Sequence, residues 1–259
     1  MLDFPARTIQ TQPAPANAGT KQEPHLPTNQ TGPVRDDDRR VIGGIIHMLQ
    51  CGARWRDCPP DYGPYTTIYN RFNRWAKRGH WRAIFEALAR CGKDGVTLSI
   101  DSTTIKAHRS ASGGKGGACE QAIGRSRGGR TTKIHAQSDP DCRPCAFHLT
   151  PGQDADIAAA PALLELAPPM SPLIGDKGYD GDGFRAEIVD RGAKPVIPNK
   201  SNRVTLHSFS KRAYKGRNVI ERCFCRLKDF RRVATRYDKL ATNFLAAVHL
   251  AAIVAYWIS

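Results

Sequence analysis

In Val96-Thr97-Leu98-Ser99-Ile100-Asp101 the apolar side chains fall on even positions and the polar ones on odd, a period of two that a half-buried β-strand uses and a helix cannot. The run delivers a carboxylate, Asp101, on the polar face of a strand. A shorter apolar run, Leu173-Ile174-Gly175-Asp176, also ends in an aspartate. Two more strands are predicted, about Thr132 to Gln137 and about Pro144 to Leu149, joined as a hairpin by the turn at Asp139-Pro140-Asp141. A further strand is expected about Pro195 to Ile197. Helices are predicted from Asp156 to Leu166, about Phe184 to Arg191, and in two closing stretches, roughly Gly216 to Thr235 and Lys239 to Trp257, the last apolar enough to be mostly buried. The glycine-rich segment from Ser110 to Arg130 predicts a long mobile loop. It is not a phosphate-binding P-loop, because no Gly-Lys-Ser/Thr opens a helix there.

Upstream of these strands the pattern is helical. Val41, Ile42, Ile45, Ile46 and Leu49 recur at helical spacing behind a run of aspartates that can cap a helix, and Gly52 is placed to end it. A second helix is expected through Ile68, Tyr69, Phe72 and Trp75, interleaved with Arg71, Arg74, Lys77 and Arg78, and a third from Trp81 to Arg90. Such a basic, aromatic-interleaved middle helix fits a helix-turn-helix DNA reader, with Arg71 and Arg74 as phosphate contacts; solvent-facing cations on any small helical domain look much the same. The expected organisation is a disordered tail at 1–34, poor in apolar periodicity, a helical DNA-binding domain at 35–92 and a mixed α/β domain at 93–259.

The net charge of +15 makes a polyanion the natural partner, since each neutralised phosphate releases condensed counterions. No stretch approaches the roughly 20 apolar residues of a spanning helix, and no charged-then-apolar leader opens the sequence, so a cytoplasmic protein without a membrane partner is expected. The eight cysteines are scattered and read as free thiols. Cys142 and Cys145 have the spacing of half a zinc knuckle, but no second pair with suitable spacing follows.

In the segment from Tyr214 to Lys228, advancing about 100° per residue brings Arg217, Glu221 and Lys228 within about 40° of one another on one helical face. Val219, Ile220, Cys223 and Leu227 form the opposite, core-facing side. One reading is a basic amphipathic helix whose Glu221 makes exposed ion pairs, each worth about 0.3 to 0.5 kcal/mol. The other joins Glu221 to Asp101 and Asp176 as a site for divalent metal: gathered carboxylates raise one another's pKa, and a cation relieves the repulsion. Hard oxygen ligands select magnesium or manganese.

The order Tyr214, two residues, Arg217, three residues, Glu221, six residues, Lys228 resembles the Tyr-Arg-Glu-Lys signature of bacterial insertion-sequence transposases of the insertion-sequence four and five superfamily. Asp101 in Ile100-Asp101-Ser102-Thr103-Thr104-Ile105-Lys106-Ala107-His108 resembles the first catalytic motif of that family, and Asp176 in Gly175-Asp176-Lys177-Gly178-Tyr179-Asp180 the second. Cys51-Gly52-Ala53-Arg54-Trp55-Arg56-Asp57-Cys58-Pro59 and Thr67-Ile68-Tyr69-Asn70-Arg71-Phe72 resemble its helical N-terminal region, so the resemblance runs from about residue 35 to the end.

That resemblance implies a ribonuclease-H-like mixed sheet flanked by helices, with the strands of Asp101 and Asp176 side by side and the helix of Glu221 across them. It implies two magnesium ions, with manganese as substitute, held by Asp101, Asp176 and Glu221. The implied partners are double-stranded DNA, both terminal inverted repeats and target, and further copies of the chain in a synaptic complex. Tyr214, Arg217 and Lys228 would contact DNA phosphates near the cut, with structural roles in the helix as the alternative for each. Two rival functions stay open: a decayed, DNA-binding repressor of the element, and a structure-selective nuclease on the same scaffold.

Overall fold

The computed structural model describes residues 26–27, 37–89 and 95–258. The Asp37 carboxylate accepts the Arg40 amide at 3.0 Å and caps α1 (Asp38–Cys51), and Gly52 ends that helix at φ 71°. Glycine is required there twice over: the left-handed backbone strains other residues, and an added Cβ would come within 2.7 Å of Arg231 Cβ. Helices α2 (Tyr65–Lys77) and α3 (His80–Ala89) complete the N-terminal group. Then follow β1 (Val96–Ala107), α4 (Gly117–Glu120), β2 (Gly124–Ser126), β3 (Gly129–Ser138), β4 (Pro144–Pro151), α5 (Asp156–Leu166) and β5 (Met170–Ile174). The chain closes with α6 (Asp182–Asp190), β6 (Lys194–Val196), α7 (Lys211–Tyr214), α8 (Asn218–Lys228), α9 (Arg231–Ala234), β7 (Thr235–Arg236) and α10 (Ala241–Ile253).

The strands form one mixed sheet in the order β2-β3-β1-β5-β6. β4 pairs antiparallel with β3 beyond the end of β2, so the two share the outer edge of β3. On its other side β3 runs antiparallel to β1 from Ser99↔Ser138 to Lys106↔Thr131. The first residues of β1 pair in parallel with β5, and the last two, Lys106 and Ala107, with β7.

Both faces of the sheet are covered. Leu98 and Ile100 pack with Ala160, Leu163 and Leu164 of α5 and with Phe184 and Ile188 of α6. Ile105, Ile134 and Ala136 lie in a larger core with Ile220, Cys223 and Leu227 of α8, with α10, and with Trp75, Trp81 and Phe85 of α2 and α3. Phe85 stacks on His249 of α10 at 4.8 Å, and Trp81 Nε1 donates to the Phe72 carbonyl at 3.1 Å. The N-terminal helices thus bury their apolar faces against the helix that closes the chain.

Several expectations are corrected. β1 does not stop at Asp101 but continues to Ala107, because β3 pairs along its length and Thr103, Thr104 and Ile105 favour extended backbone. The expected loop from Ser110 to Arg130 contains α4 and β2, tied down where Thr132 Oγ1 donates to the Ala122 carbonyl at 2.6 Å. The expected helix from Gly216 to Thr235 breaks at Phe230, whose backbone is extended (φ −80°, ψ 106°) and whose ring is buried. Ala241–Ile258, 18 residues with mean hydropathy 1.6, is long and apolar enough to cross a membrane; here Phe244 and the residues from Ala246 to Ile253 are buried in the larger core. Of the expected tail only Leu26 and Pro27 are described, and Leu26 packs against that core.

Candidate active site

Asp101 sits in the middle of β1, on the face that carries α8. Its Oδ1 accepts the Ser102 amide at 2.8 Å and its Oδ2 accepts Arg217 Nη1 at 2.7 Å. Burial raises its pKa above the usual carboxylate range; the Ser102 amide and Arg217 pull it back, while Asp176 and Asp156 push it further up. Asp176 follows β5, whose Ile174 lies opposite Ser99 of β1, so continuing the parallel register by two residues brings Asp176 level with Asp101. Its Oδ1 accepts the Gly178 amide at 2.7 Å and caps a short 3₁₀ turn. A Cβ at 178 would stand 2.8 Å from that same oxygen, so a larger residue there would push the Asp176 carboxylate aside.

Glu221 lies in the first turn of α8, more than half exposed, and its Oε1 accepts Arg217 Nη2 at 2.6 Å. One guanidinium therefore bridges Asp101 and Glu221, residues 120 positions apart being joined through a side chain that the helical wheel had placed beside Glu221 alone. Lys228, two turns further along α8, donates from Nζ to Thr103 Oγ1 at 2.7 Å, on the same face of β1 as Asp101. Tyr214 closes α7, half-buried, with its ring edge-on to Phe209 at 5.9 Å.

The two N-terminal candidates part company. Arg71, expected to face solvent, is 7% exposed, pairs with Asp38 and lies over the Trp75 ring at 5.1 Å. Its role in α2 is to hold α1, because a buried cation needs its acid close by. Arg74 is exposed, as expected, and donates to the Asn70 carbonyl at 3.3 Å. Arg71→Gln is expected to lower unfolding stability by about 2 kcal/mol while leaving the salt dependence of DNA binding at its wild-type slope. Salt titrations that show a reduced slope with unchanged stability would restore Arg71 as a phosphate contact.

Three further residues escaped the sequence reading. Ser102, on the opposite face of β1, donates from Oγ to Asp156 Oδ1 at 2.6 Å, and Lys133 Nζ reaches the same oxygen at 2.8 Å. Burial alone would raise the Asp156 pKa, but the hydrogen bonds from Lys133 and Ser102 outweigh it and hold the group below the ordinary range. The only sequence signal for Asp156 was its place at a helix start. Asp156 thus steadies Ser102, whose amide holds Asp101.

Among the described residues, no three Asp, Glu, His or Cys side chains converge closely enough to hold an ion. The donor chemistry nevertheless fits a hard divalent cation. Asp101 and Asp176 offer only oxygen and interact unfavourably, and a positive group, the Arg217 guanidinium, already sits between Asp101 and Glu221.

The mixed sheet with helices on both faces, with Asp101 on one strand and Asp176 just beyond the parallel strand beside it, is a ribonuclease-H-like α/β fold. The fold matches that of a piggyBac transposase, solved as a synaptic complex with hairpin DNA, at a TM-score of 0.51 over 93% of this chain and 70% of that one, with 10% identity. Residues 92–257 match the family described as "Transposase DDE domain", and residues 20–85 the one described as "Putative transposase of IS4/5 family". The chain belongs to the insertion-sequence DDE transposases. The second match starts earlier than the expected similarity from about residue 35. Among curated relatives, a Brucella ovis protein described as "Putative transposase for insertion sequence element IS6501" is 37% identical over 47% of this chain and 94% of its own length. A Burkholderia cepacia protein described as "Putative transposase for insertion sequence element IS402" is 29% identical over 68% of this chain and 84% of its own.

Proposed function

We propose that this transposase binds the terminal inverted repeats of its insertion sequence, cleaves at the element ends and joins the 3′ hydroxyls to target DNA. The observation that carries the reading is Arg217 shared between Asp101 and Glu221, with Asp176 just beyond the end of the adjoining strand. In this reading Asp101, Asp176 and Glu221 hold two magnesium ions, which when bound supply Lewis-acid stabilisation of charge on the attacking and leaving oxygens. Arg217 offsets the repulsion between Asp101 and Glu221, and its guanidinium would also suit a DNA phosphate. Lys228, docked on Thr103, places a second cation along the same strand, and Tyr214 lies at the start of this segment. Exposed Arg74 adds a phosphate contact from the helical region 35–92, with 93–259 as the catalytic part. The synaptic complex requires more than one copy of the chain.

The test is incubation of the full chain with duplexes ending in the inverted repeats that flank its gene. Nicking at the element ends in magnesium or manganese, no nicking in chelator, and recovery of joined product are expected. Repeat binding without nicking at any metal concentration would instead establish a repressor; nicking without joined product would establish a nuclease.

A further inference from the structure

The β2–β3 hairpin is a two-stranded ribbon with an excess of one charge. Arg125 and Arg130 are direct cross-strand partners, and Arg127 lies in the turn between them. All three are exposed. Like charges directly opposite on a ribbon destabilise it. Among the described residues no carboxylate forms an ion pair with any of them, and Arg130 Nη1 donates only to Ser112 Oγ. Such a pair persists at a cost to the free protein, and an anion bound across it would offset that cost.

The ribbon also has a rigid footing. Arg236 of β7, fully buried, donates from Nη1 to Thr132 Oγ1 of β3 at 2.7 Å and to the carbonyl of Ala122, two residues before β2, at 3.2 Å, tying together the base of the ribbon. The same guanidinium donates from Nε to the Asp238 carbonyl at 2.9 Å and from Nη2 to that of Lys239 at 3.2 Å, and it lies over the Phe244 ring at 5.1 Å. The ribbon is therefore anchored to the larger core by a buried cation, so its arginines project from a fixed base.

Its distance from the candidate active site follows from the register. Ala136 of β3 lies opposite Asp101, and β3 runs from there to Gly129 at the ribbon's turn. Seven residues at about 3.3 Å each give a reach of about 23 Å, close to seven base pairs of B-form DNA at about 3.4 Å each. Exposed Arg109 lies just beyond the end of β1.

We propose that the β2–β3 ribbon is a separate DNA-contact surface, gripping the phosphate backbone of duplex DNA about seven base pairs from the phosphate positioned at Asp101. This rests on the reading of the chain as a DNA-cleaving transposase and gives that substrate a second point of attachment.

The experiment compares the full-length wild type with the triple variant Arg125→Gln, Arg127→Gln, Arg130→Gln, using a 40-base-pair random duplex titrated across a range of salt. The slope of log affinity against log salt is expected to shrink by about two to three units in the variant. Its thermal midpoint should equal or exceed that of the wild type, because the like-charge pair is gone. The triple lysine variant should restore the slope. An unchanged slope, or a slope lost together with a lowered midpoint, would overturn the proposal. Magnesium-dependent nicking by the wild type is followed in parallel on repeat-ended duplexes. Nicking with an unchanged slope removes the ribbon and keeps the transposase reading; a reduced slope without nicking does the reverse.

Discussion

Asp101→Ala, Asp176→Ala and Glu221→Ala should each slow nicking of repeat-ended DNA by about a thousandfold or more, equivalent to roughly 4 kcal/mol of transition-state stabilisation. Binding of the same DNA should stay within a few-fold of wild type, since none of the three supplies positive charge. The physical reason is that each removes one of the three anionic oxygen ligands proposed for the ions. Asp101→Ala has a second consequence: Arg217 loses one of its two acids and becomes a freer cation, so DNA affinity should rise slightly rather than fall. Single-turnover cleavage assays beside equilibrium binding decide the matter, and cleavage by any one variant within tenfold of wild type would remove that residue from the site.

Acidification to pH 5 should cost the protein roughly 4 kcal/mol of stability relative to pH 7.5, seen as a large drop in the urea midpoint. Burial lowers the pKa of His135 to about 4, with His148 and Lys133 helping and Asp156 opposing, and burial lowers that of His249 to about 3, with Arg82 adding to it. In the unfolded chain both titrate near the ordinary value of about 6.5. Between about pH 6.5 and 4 the unfolded state therefore takes up protons that the native state refuses, and folding loses ground as pH falls. His148 is shifted the same way by burial and adds to the effect. His249→Gln should be less stable at pH 7.5 yet flatter across the window, each histidine accounting for about 2 kcal/mol at pH 5. A urea midpoint that does not move between pH 7.5 and 5 would refute the assignment.

The elements that the sequence disclosed are those whose determinants are local. α5 spans Asp156–Leu166 as expected because an acidic start and an alanine- and leucine-rich run favour helix locally. The β3–β4 hairpin was legible for the same reason: Asp139 Oδ1 accepts the Arg143 amide at 2.7 Å and closes the turn from within. What escaped reading depended on distant partners. The burial of Arg71 is set by Asp38, far back in the chain, and by Trp75; on a helical wheel alone it looks like any surface arginine. Asp101, Asp176 and Glu221 could be named from their motifs, but the bridge that Arg217 makes between two of them, and the prop that Asp156 and Lys133 give to Ser102, exist only once the strands are registered. The ribbon of Arg125 and Arg130 was hidden in a segment whose glycines suggested a loop, because its order comes from Arg236 and not from its own composition.

α2, α3 and α10 share one core, so the N-terminal helices are covered by the last helix of the sheet-bearing part. A frameshift or nick near residue 90 would yield a short fragment with Trp75 and Trp81 stripped of their cover, and a long one whose closing helix presents Phe244 and Val248 to water. Each piece would expose apolar surface that the whole chain buries. Loss of the second half would thus leave the apolar faces of the first half without their cover.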